Sequence, residues 1–221
     1  MRRAPTFAAV AAAVALAAGC GGDDGTTTAA TDTSGTSAAG CTSVEQPAAK
    51  PGGGQKAPTQ PLASGKTYEV VFTTNCGNFT ITLDVKTAPK TTASLVSLAR
   101  AGFFDNTIFH RIVPGFVIQG GDPTQSGTGG PGYSTVDVPP SDAQYTKGVV
   151  AMAKTGAEPP GTSGSQFFVV TGTDAGLPPD YAVVGKVTEG LDVVERIGEL
   201  GDASQQPTQP VVIQKVTVKE S

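Results

Sequence analysis

Apolar and polar residues alternate along two neighbouring segments of the chain. Residues 68–72 read Tyr-Glu-Val-Val-Phe and residues 79–83 read Phe-Thr-Ile-Thr-Leu, a period of two that is typical of half-buried strands. The residues between the two segments include Asn75-Cys76-Gly77-Asn78, and asparagine and glycine are favoured in turns. The pattern therefore predicts a β-hairpin.

Two other segments have the spacing of amphipathic helices. The first covers residues 90–101, with Pro89 before it and Gly102 after it, and this is the expected asymmetry of proline at the start and glycine past the end. The second covers residues 191–200, where apolar residues recur at nearly every third or fourth position.

Further short apolar segments predict strands at residues 108–112, 116–119, 149–153, 166–171, 183–187 and 211–218. Many short strands with two separated helices are typical of a closed barrel. The predicted fold is mainly β, an eight-stranded antiparallel barrel capped by two α-helices, and residues 66–221 are long enough to form one such domain.

The start of the chain differs in composition from this domain. Arg2 and Arg3 precede an uncharged run of mostly Ala, Val and Leu at residues 7–18, which is shorter than the roughly 20 apolar residues of a transmembrane helix. Small residues lead up to Cys20, as at a signal-peptide cleavage site. Residues 1–19 resemble a bacterial lipoprotein signal, in which Cys20 would be lipidated and become the new N-terminus. A plain secretory signal with an incidental cysteine is the alternative.

The composition of residues 20–65 predicts a tether between Cys20 and the domain. From residue 21 the segment consists mostly of Gly, Thr, Ala, Ser, Pro and Gln, and its large aliphatic residues are Val44 and Leu62. Such a segment buries too little apolar surface to offset its loss of conformational entropy, so the sequence predicts disorder.

Cys41 and Cys76 form an even pair once Cys20 is assigned to the lipid. Disulfides persist in exported proteins, and a Cys41–Cys76 bridge would pin the end of the tether to the domain. Two free thiols are the alternative.

Composition excludes several classes of function. The formal net charge is −4, whereas a nucleic-acid-binding protein needs a basic face to neutralise phosphates. One His and three Cys are too few for a zinc finger, a multi-cysteine iron–sulfur cluster or a His-rich metal site. We therefore expect no nucleic-acid partner, no metal and no cofactor.

The densest motif is Phe-His-Arg-Ile-Val-Pro-Gly-Phe-Val-Ile-Gln-Gly-Gly-Asp at residues 109–122. With Gly-Val-Val-Ala-Met-Ala at 148–153, Ser-Gly-Ser-Gln-Phe-Phe at 163–168 and the segment 184–195, it resembles the cyclophilins, which are peptidyl-prolyl cis–trans isomerases. The resemblance extends from about residue 66 to the C-terminus. It implies catalysis by Arg111, Phe116 and Gln119, and a substrate groove lined by Val117, Ala153, Lys154, Gln166, Phe168, Leu177 and Tyr181.

The chemistry of these residues suits that reaction. Rotation of an X-Pro bond faces a barrier of about 18–20 kcal/mol, because resonance gives the C–N bond partial double-bond character. No bond is made or broken, so the reaction needs a donor aimed at the prolyl nitrogen and an apolar slot for the ring. Arg111 is a permanently charged donor, Gln119 can hold it, and Phe116 and Phe168 can form the slot.

The resemblance also predicts the partners. Substrates would be proline-containing exported polypeptides, the membrane would be contacted only through the N-terminal lipid, and the protein would be a monomer. Gly176 stands where many family members have a Trp that supports binding of cyclosporin A, Val117 replaces a usual Met, Lys154 a usual Asn, and Tyr181 a usual His. We therefore expect isomerase activity with weak cyclosporin inhibition.

Rival interpretations use the same residues. A chaperone or docking module could bind proline-containing segments with little turnover. A Ser-His-Asp hydrolase would have to use His110, the single histidine, which we interpret as a structural, hydrogen-bonded residue in a strand. The glycines of 127–132 match a dinucleotide-binding pattern, but the residues after them do not open a helix, so a loop beside the groove is predicted there.

Overall fold

The computed structural model describes residues 40–221. The predicted signal peptide, Cys20 and the first part of the predicted tether lie outside the described residues. Within residues 40–221, no helix has the length and apolar character needed to cross a membrane.

The described residues form two helices and a set of mostly short strands. In chain order the elements are β1 Tyr68–Thr74, β2 Gly77–Leu83, α1 Pro89–Arg100, β3 Thr107–Ile108, β4 Arg111–Val113, β5 Val117–Gly120, β6 Thr135–Val136, β7 Val149–Met152, β8 Thr162–Ser163, β9 Phe167–Val170, β10 Val183–Glu189, α2 Leu191–Gly198 and β11 Val212–Glu220. The mainly β class with two helices is confirmed, and both helices begin within one residue of their predicted positions. The pair β6 and β8, two residues each, was not predicted because strands so short carry no periodic signal.

The predicted hairpin is present. Strands β1 and β2 pair antiparallel from Glu69 opposite Thr82 to Thr74 opposite Gly77, so the connecting turn is Asn75-Cys76. Alternate residues of β1 are buried, which confirms the period-two interpretation of this segment.

The main sheet curls strongly around the core. Its strand order is β3-β11-β1-β2-β10-β7-β9-β5-β4, so its two end strands are β3 and β4. Only Phe109 and His110 separate these strands along the chain, and three residue steps span at most about 11 Å. The chain itself therefore brings the two ends of the sheet together. The ladder has nine strands rather than the predicted eight because the predicted strand 108–112 is interrupted at Phe109 and His110.

Both helices pack against the sheet, and most of their buried apolar residues belong to the main core. Helix α1 contacts β11 and β6, with Leu95, Val96 and Leu98 among its buried residues. Helix α2 contacts β2, β4 and β5 and begins after Gly190, whose φ is +72°. A side chain at Gly190 would collide with the carbonyl of Asn78, so only glycine fits this close approach.

Aromatic rings fill the inside of the curled sheet. Phe72 stacks on Phe79 with ring centroids 4.8 Å apart, and Phe167 packs edge-on against Phe104 and Phe109 at 6.1 Å from each. All five rings are almost fully buried, and contacts of this kind contribute beyond simple area burial.

Residues 40–65 differ from the predicted disordered tether. Cys41 is fully buried and is joined to Cys76 by a disulfide bond with an S–S distance of 2.09 Å. The next residues lie along the domain, where the backbone N–H of Lys50 donates to the Pro123 carbonyl at 2.8 Å. Composition indicated that this segment could not form a core of its own, and that inference holds. The prediction of disorder did not take into account that backbone hydrogen bonds and one disulfide can hold such a segment against an existing domain.

Candidate active site

Strand register places the candidate catalytic side chains in one row. Arg111 of β4 lies opposite Gln119 of β5, Gln119 lies opposite Phe168 of β9, and Phe168 lies opposite Ala151 of β7. Directly opposed residues share a face of the sheet. Residues that are up to 57 positions apart in the sequence are thereby gathered on a single surface.

Arg111 is held by two glutamine side chains. Its Nη1 donates to Oε1 of Gln119 at 3.2 Å, and its Nε donates to Oε1 of Gln205 at 2.8 Å. A guanidinium group has five N–H donors in a fixed plane, so donors remain for a substrate. The guanidinium carbon lies 6.0 Å from the centre of the Phe116 ring, which keeps the cation at the edge of an apolar surface.

A groove of about 290 Å³ lies in front of this arginine. All of the predicted site residues except Gln166 line it: Arg111, Phe116, Val117, Gln119, Ala153, Lys154, Phe168, Leu177 and Tyr181. The structure thus brings together residues from three of the four motifs, 109–122, 148–153 and 163–168, with three residues that lie outside the motifs.

The floor of the groove is a small apolar cluster separate from the main core. Val117, Tyr145, Ala151, Phe168 and Val170 are its buried members. Phe167 belongs instead to the main core. Alternation of side chains along a strand predicts this division, and the structure confirms it.

Tyr145 supports the groove and was missed at the sequence level. Its hydroxyl donates to the Tyr181 carbonyl at 2.7 Å and accepts from the Tyr181 backbone N–H at 3.0 Å. The Tyr181 ring then stands edge-on to the Phe168 ring, with centroids 5.6 Å apart. Burial raises the pKa of Tyr145, so its hydroxyl stays neutral. The available signal was a lone aromatic residue in the polar stretch 139–148.

Gln205 was also missed, and no local signal marked it. It lies between α2 and β11 with a φ of +64°. Its carbonyl accepts from the Ile112 backbone N–H at 3.0 Å, and its side chain binds Arg111. Gln205 therefore fixes both the backbone and the guanidinium group of this part of the site.

Gln166 lies in a second cavity that adjoins the groove. This cavity has a volume of about 720 Å³ and shares Gln119, Ala153 and Lys154 with the groove. Gln119 donates to Oε1 of Gln166 at 3.1 Å, and Gln166 donates to the Gly129 carbonyl at 2.9 Å. A chain of hydrogen bonds thus runs from Arg111 to the glycine-rich loop at 127–132.

Lys154 closes one side of the groove. Its ammonium group donates to the carbonyls of Glu158 and Thr155 at 3.1 and 3.3 Å and lies 5.4 Å from the centre of the Tyr181 ring. Its charge is therefore engaged locally, and its stem forms a wall of the groove.

Leu177 also lines the groove. The preceding residue, Gly176, is exposed and has a φ of +61°, and a Cβ added there would have no heavy atom within 4 Å. Leucine supplies apolar area to the groove, but it lacks the ring face and the N–H donor of a tryptophan.

His110 differs from the predicted hydrogen-bonded role. The side chain is only 8% exposed, and neither ring nitrogen has a hydrogen-bond partner within residues 40–221. A hydrolytic triad requires a histidine bonded to both a serine hydroxyl and a carboxylate. The geometry therefore gives the hydrolase interpretation no support.

The buried imidazole leads to a prediction about pH. Burial lowers the pKa of His110 below its ordinary value of 6.5, against the opposing charge of Asp122. The unfolded chain therefore binds a proton at His110 near pH 6.5, whereas the folded chain binds it only at lower pH. The free energy of unfolding should therefore decrease as the pH falls from 7 to 5. Urea unfolding at both values should show a larger loss of unfolding free energy for the wild type than for His110→Gln. Equal losses of unfolding free energy in the wild type and in His110→Gln would contradict this prediction.

The arrangement suits a reaction in which charge shifts without bond cleavage. A cation with free donors stands beside an apolar slot, and such fixed donors stabilise charge that develops in a transition state. Within the described part of the chain, no group of three or more His, Cys, Asp or Glu side chains could hold a metal ion.

Comparison with known sequences points to one family. The family described as cyclophilin type peptidyl-prolyl cis-trans isomerase/CLD matches residues 69–218. Peptidyl-prolyl cis-trans isomerase A of Mycobacterium tuberculosis is 39% identical over 177 residues, covering 72% of this chain and 94% of that protein. Peptidyl-prolyl cis-trans isomerase CYP18-2 of Arabidopsis thaliana is 35% identical over 159 residues, covering 70% and 95%.

Solved structures agree with the sequence comparison. A crystal structure of a cyclophilin type peptidyl-prolyl cis-trans isomerase from Cryptosporidium parvum superposes with a TM-score of 0.64 at 31% identity, covering 69% of this chain and 98% of that chain. A structure of the same isomerase in the presence of the dipeptide Ala-Pro gives a TM-score of 0.63 at 30% identity, covering 68% of this chain and 98% of that chain.

Proposed function

The chain belongs to the cyclophilin-type peptidyl-prolyl cis-trans isomerases, and we propose that it isomerises X-Pro bonds in exported polypeptides at the outer face of a bacterial cell membrane. The observation that carries the chemical part of the proposal is the placement of Arg111, held by Gln119 and Gln205, beside the groove between Phe116 and Phe168.

These residues act on the twisted amide rather than on the planar one. As the C–N bond rotates, resonance is lost and the lone pair localises on the prolyl nitrogen. A free N–H of Arg111 can donate to that nitrogen, and this interaction is strongest in the transition state, which is the condition for raising the rate. The apolar floor holds the proline ring while the groove edge at Lys154 and Tyr181 accommodates the chain beside it.

Proline-containing polypeptides are the substrates that this groove fits. One structure of the Cryptosporidium parvum isomerase was obtained in the presence of the dipeptide Ala-Pro. In this chain the groove offers a proline ring an apolar surface beside the Arg111 cation. An apolar slot formed by Phe116, Val117 and Phe168 would contact chiefly the proline ring, so many exported polypeptides could be substrates. The proposed activity needs no second subunit, because one chain supplies both Arg111 and the apolar slot, and we propose that the protein acts as a monomer.

The place of action is inferred from the N-terminal sequence. Arg2 and Arg3, the apolar run at 7–18 and the small residues before Cys20 support export followed by lipidation of Cys20. A lipid chain on the N-terminal residue would anchor the protein at the membrane, and the residues after Cys20 would hold the domain clear of the surface.

Replacing the candidate lipid-bearing residue tests this location. Cys20→Ser should release the protein from the membrane fraction into the soluble fraction, with kcat/KM for a proline peptide unchanged. The variant Cys41→Ser is the matched control, since it also removes a cysteine from the N-terminal region but should leave the protein on the membrane. If Cys20→Ser protein stays entirely with the membranes, the anchoring proposal is wrong.

A further inference from the structure

Residues 41–55, called the strap below, run along the domain from the β1–β2 turn to the glycine-rich loop at 127–132. The family match begins only at residue 69, so the strap is an addition to the matched region. Its path ends beside the second cavity, where Gly52 and Gly53 form part of the lining.

The strap is fixed at its start by a covalent bond. Cys41 is joined to Cys76, and the backbone N–H of Thr42 donates to the Asn75 carbonyl at 2.8 Å. The side-chain amide of Asn75 donates back to the Thr42 carbonyl, also at 2.8 Å. The first residues of the strap are therefore tied to the β1–β2 turn.

A lysine holds the middle of the strap. The ammonium group of Lys50 donates to the carbonyls of Phe103 and Asp105 at 2.9 and 2.7 Å. Both carbonyls belong to the connection between α1 and β3, and hydrogen bonds from a charged donor are stronger than neutral ones. Lys50 thus fixes the position of the middle of the strap relative to the connection between α1 and β3.

The end of the strap pairs with the glycine-rich loop. The backbone N–H groups of Gly53 and Gln55 donate to the carbonyls of Gly130 and Pro131 at 2.8 and 3.0 Å. The approach is close, since a Cβ added to Gly132 would lie 3.0 Å from Cα of Gly53. The strap therefore holds the loop in place through these two hydrogen bonds and this close contact.

The same loop is connected to the catalytic arginine on its inner side. The Gly129 carbonyl accepts from Gln166, which accepts from Gln119, which accepts from Arg111. The strap therefore limits the position of a loop that forms one wall of the second cavity and contacts the side chains between the cavity and the groove.

We propose that the strap is a specificity-determining element, which shapes the second cavity so that it selects the residues beside the substrate proline. This proposal rests on the proposed function. The cavity lining is mostly uncharged, with several glycines together with Gln119, Gln166 and Thr128. The ammonium of Lys154 is bound to nearby carbonyls, and the carboxylate of Glu158 is bound to Thr155. The strap-bounded cavity therefore favours uncharged side chains over charged ones.

The test compares substrate selectivity with the strap held and with the strap released. One variant, Lys50→Ala/Gln55→Pro, removes the lysine anchor and one of the two N–H donors to the loop, because proline has no N–H. A second, Cys41→Ser/Cys76→Ser, removes the covalent anchor. Lys56→Ala is the control, since Lys56 is an exposed residue just beyond the strap. The substrates are peptides with one Ala-Pro unit whose flanking residues are Gly, Ser, Gln, Leu, Phe or Lys.

Both released variants should turn over the glycine-flanked peptide within about twofold of the wild type, because no groove residue has changed. The ratio of kcat/KM between the best and worst flanking residues should fall by at least about threefold, a small fraction of what one pocket contact can discriminate. Lys56→Ala should keep the wild-type ratio. An unchanged ratio in both released variants would overturn the proposal.

Failure of the proposed function would be recognised separately. If the wild-type protein turns over none of the peptides, isomerase action fails, and the affinities of the same peptides, measured by titration, then test the strap. Affinities that lose their dependence on the flanking residues in both released variants support the specificity role. Affinities that keep this dependence overturn it.

Discussion

Arg111→Ala should lower kcat/KM for a proline peptide by at least about tenfold, which is roughly 1.4 kcal/mol of transition-state stabilisation. The substitution removes the donor that stands beside the groove and leaves Gln119 and Gln205 without the guanidinium group that they hold. The side chain is half-buried and outside the main core, so the thermal unfolding midpoint should change little.

Two further variants test whether the effect depends on the position of the arginine and on more than its positive charge. Arg100→Ala removes an arginine that is exposed and paired with Glu220, and it should keep wild-type activity. Arg111→Lys retains the charge but loses the planar arrangement of donors, so it should also be impaired. Wild-type activity in Arg111→Ala would contradict the proposed catalytic role of Arg111.

Cyclosporin A should inhibit this enzyme about 30- to 1,000-fold more weakly than it inhibits family members that have the tryptophan. Loss of a large aromatic contact with its hydrogen bond typically costs on the order of 2–4 kcal/mol at an interface, and 1.4 kcal/mol corresponds to tenfold in affinity. The chain contains no Trp, and Leu177, next to Gly176, lines the groove. Titration of the drug against peptide isomerisation measures the effect.

Gly176→Trp should restore part of the drug sensitivity. The added side chain has room, since no heavy atom lies within 4 Å of a Cβ at this position. Restoration should be incomplete, because the φ of +61° is unfavourable for a residue with a side chain. Inhibition of the wild type at low-nanomolar drug would show that the missing tryptophan does not matter.

Local patterns predicted the elements of this fold because they depend on neighbouring residues. Alternation identified the hairpin of β1 and β2 and separated Phe167 from Phe168, and Pro89 with Gly102 marked the ends of α1. The interruption at Phe109 and His110 was not visible, because residues 108–112 contain no glycine, proline or turn residue that would mark a break in a strand. Its cause is the meeting of the two ends of the curled sheet, a property of the whole chain.

The candidate site shows the same division. The motif at 109–122 contains Arg111, Phe116 and Gln119 together, and the resemblance supplied most of the other groove residues. Tyr145 and Gln205 act through hydrogen bonds that span 36 and 94 positions, and nothing in their local sequence indicates such partners. The strap was missed for a related reason, since the sequence around Lys50 gives no sign of the carbonyls that it binds.

The most direct test of isomerase action is exchange spectroscopy on a short peptide with one Ala-Pro bond. Uncatalysed isomerisation takes tens of seconds or longer, so the cis and trans signals of the free peptide do not exchange during the measurement. A catalytic amount of the wild-type protein should produce exchange peaks between them, and the same amount of Arg111→Ala should produce much weaker peaks. Peptide signals that shift on binding without any cis–trans exchange would show a binding module and would contradict the account.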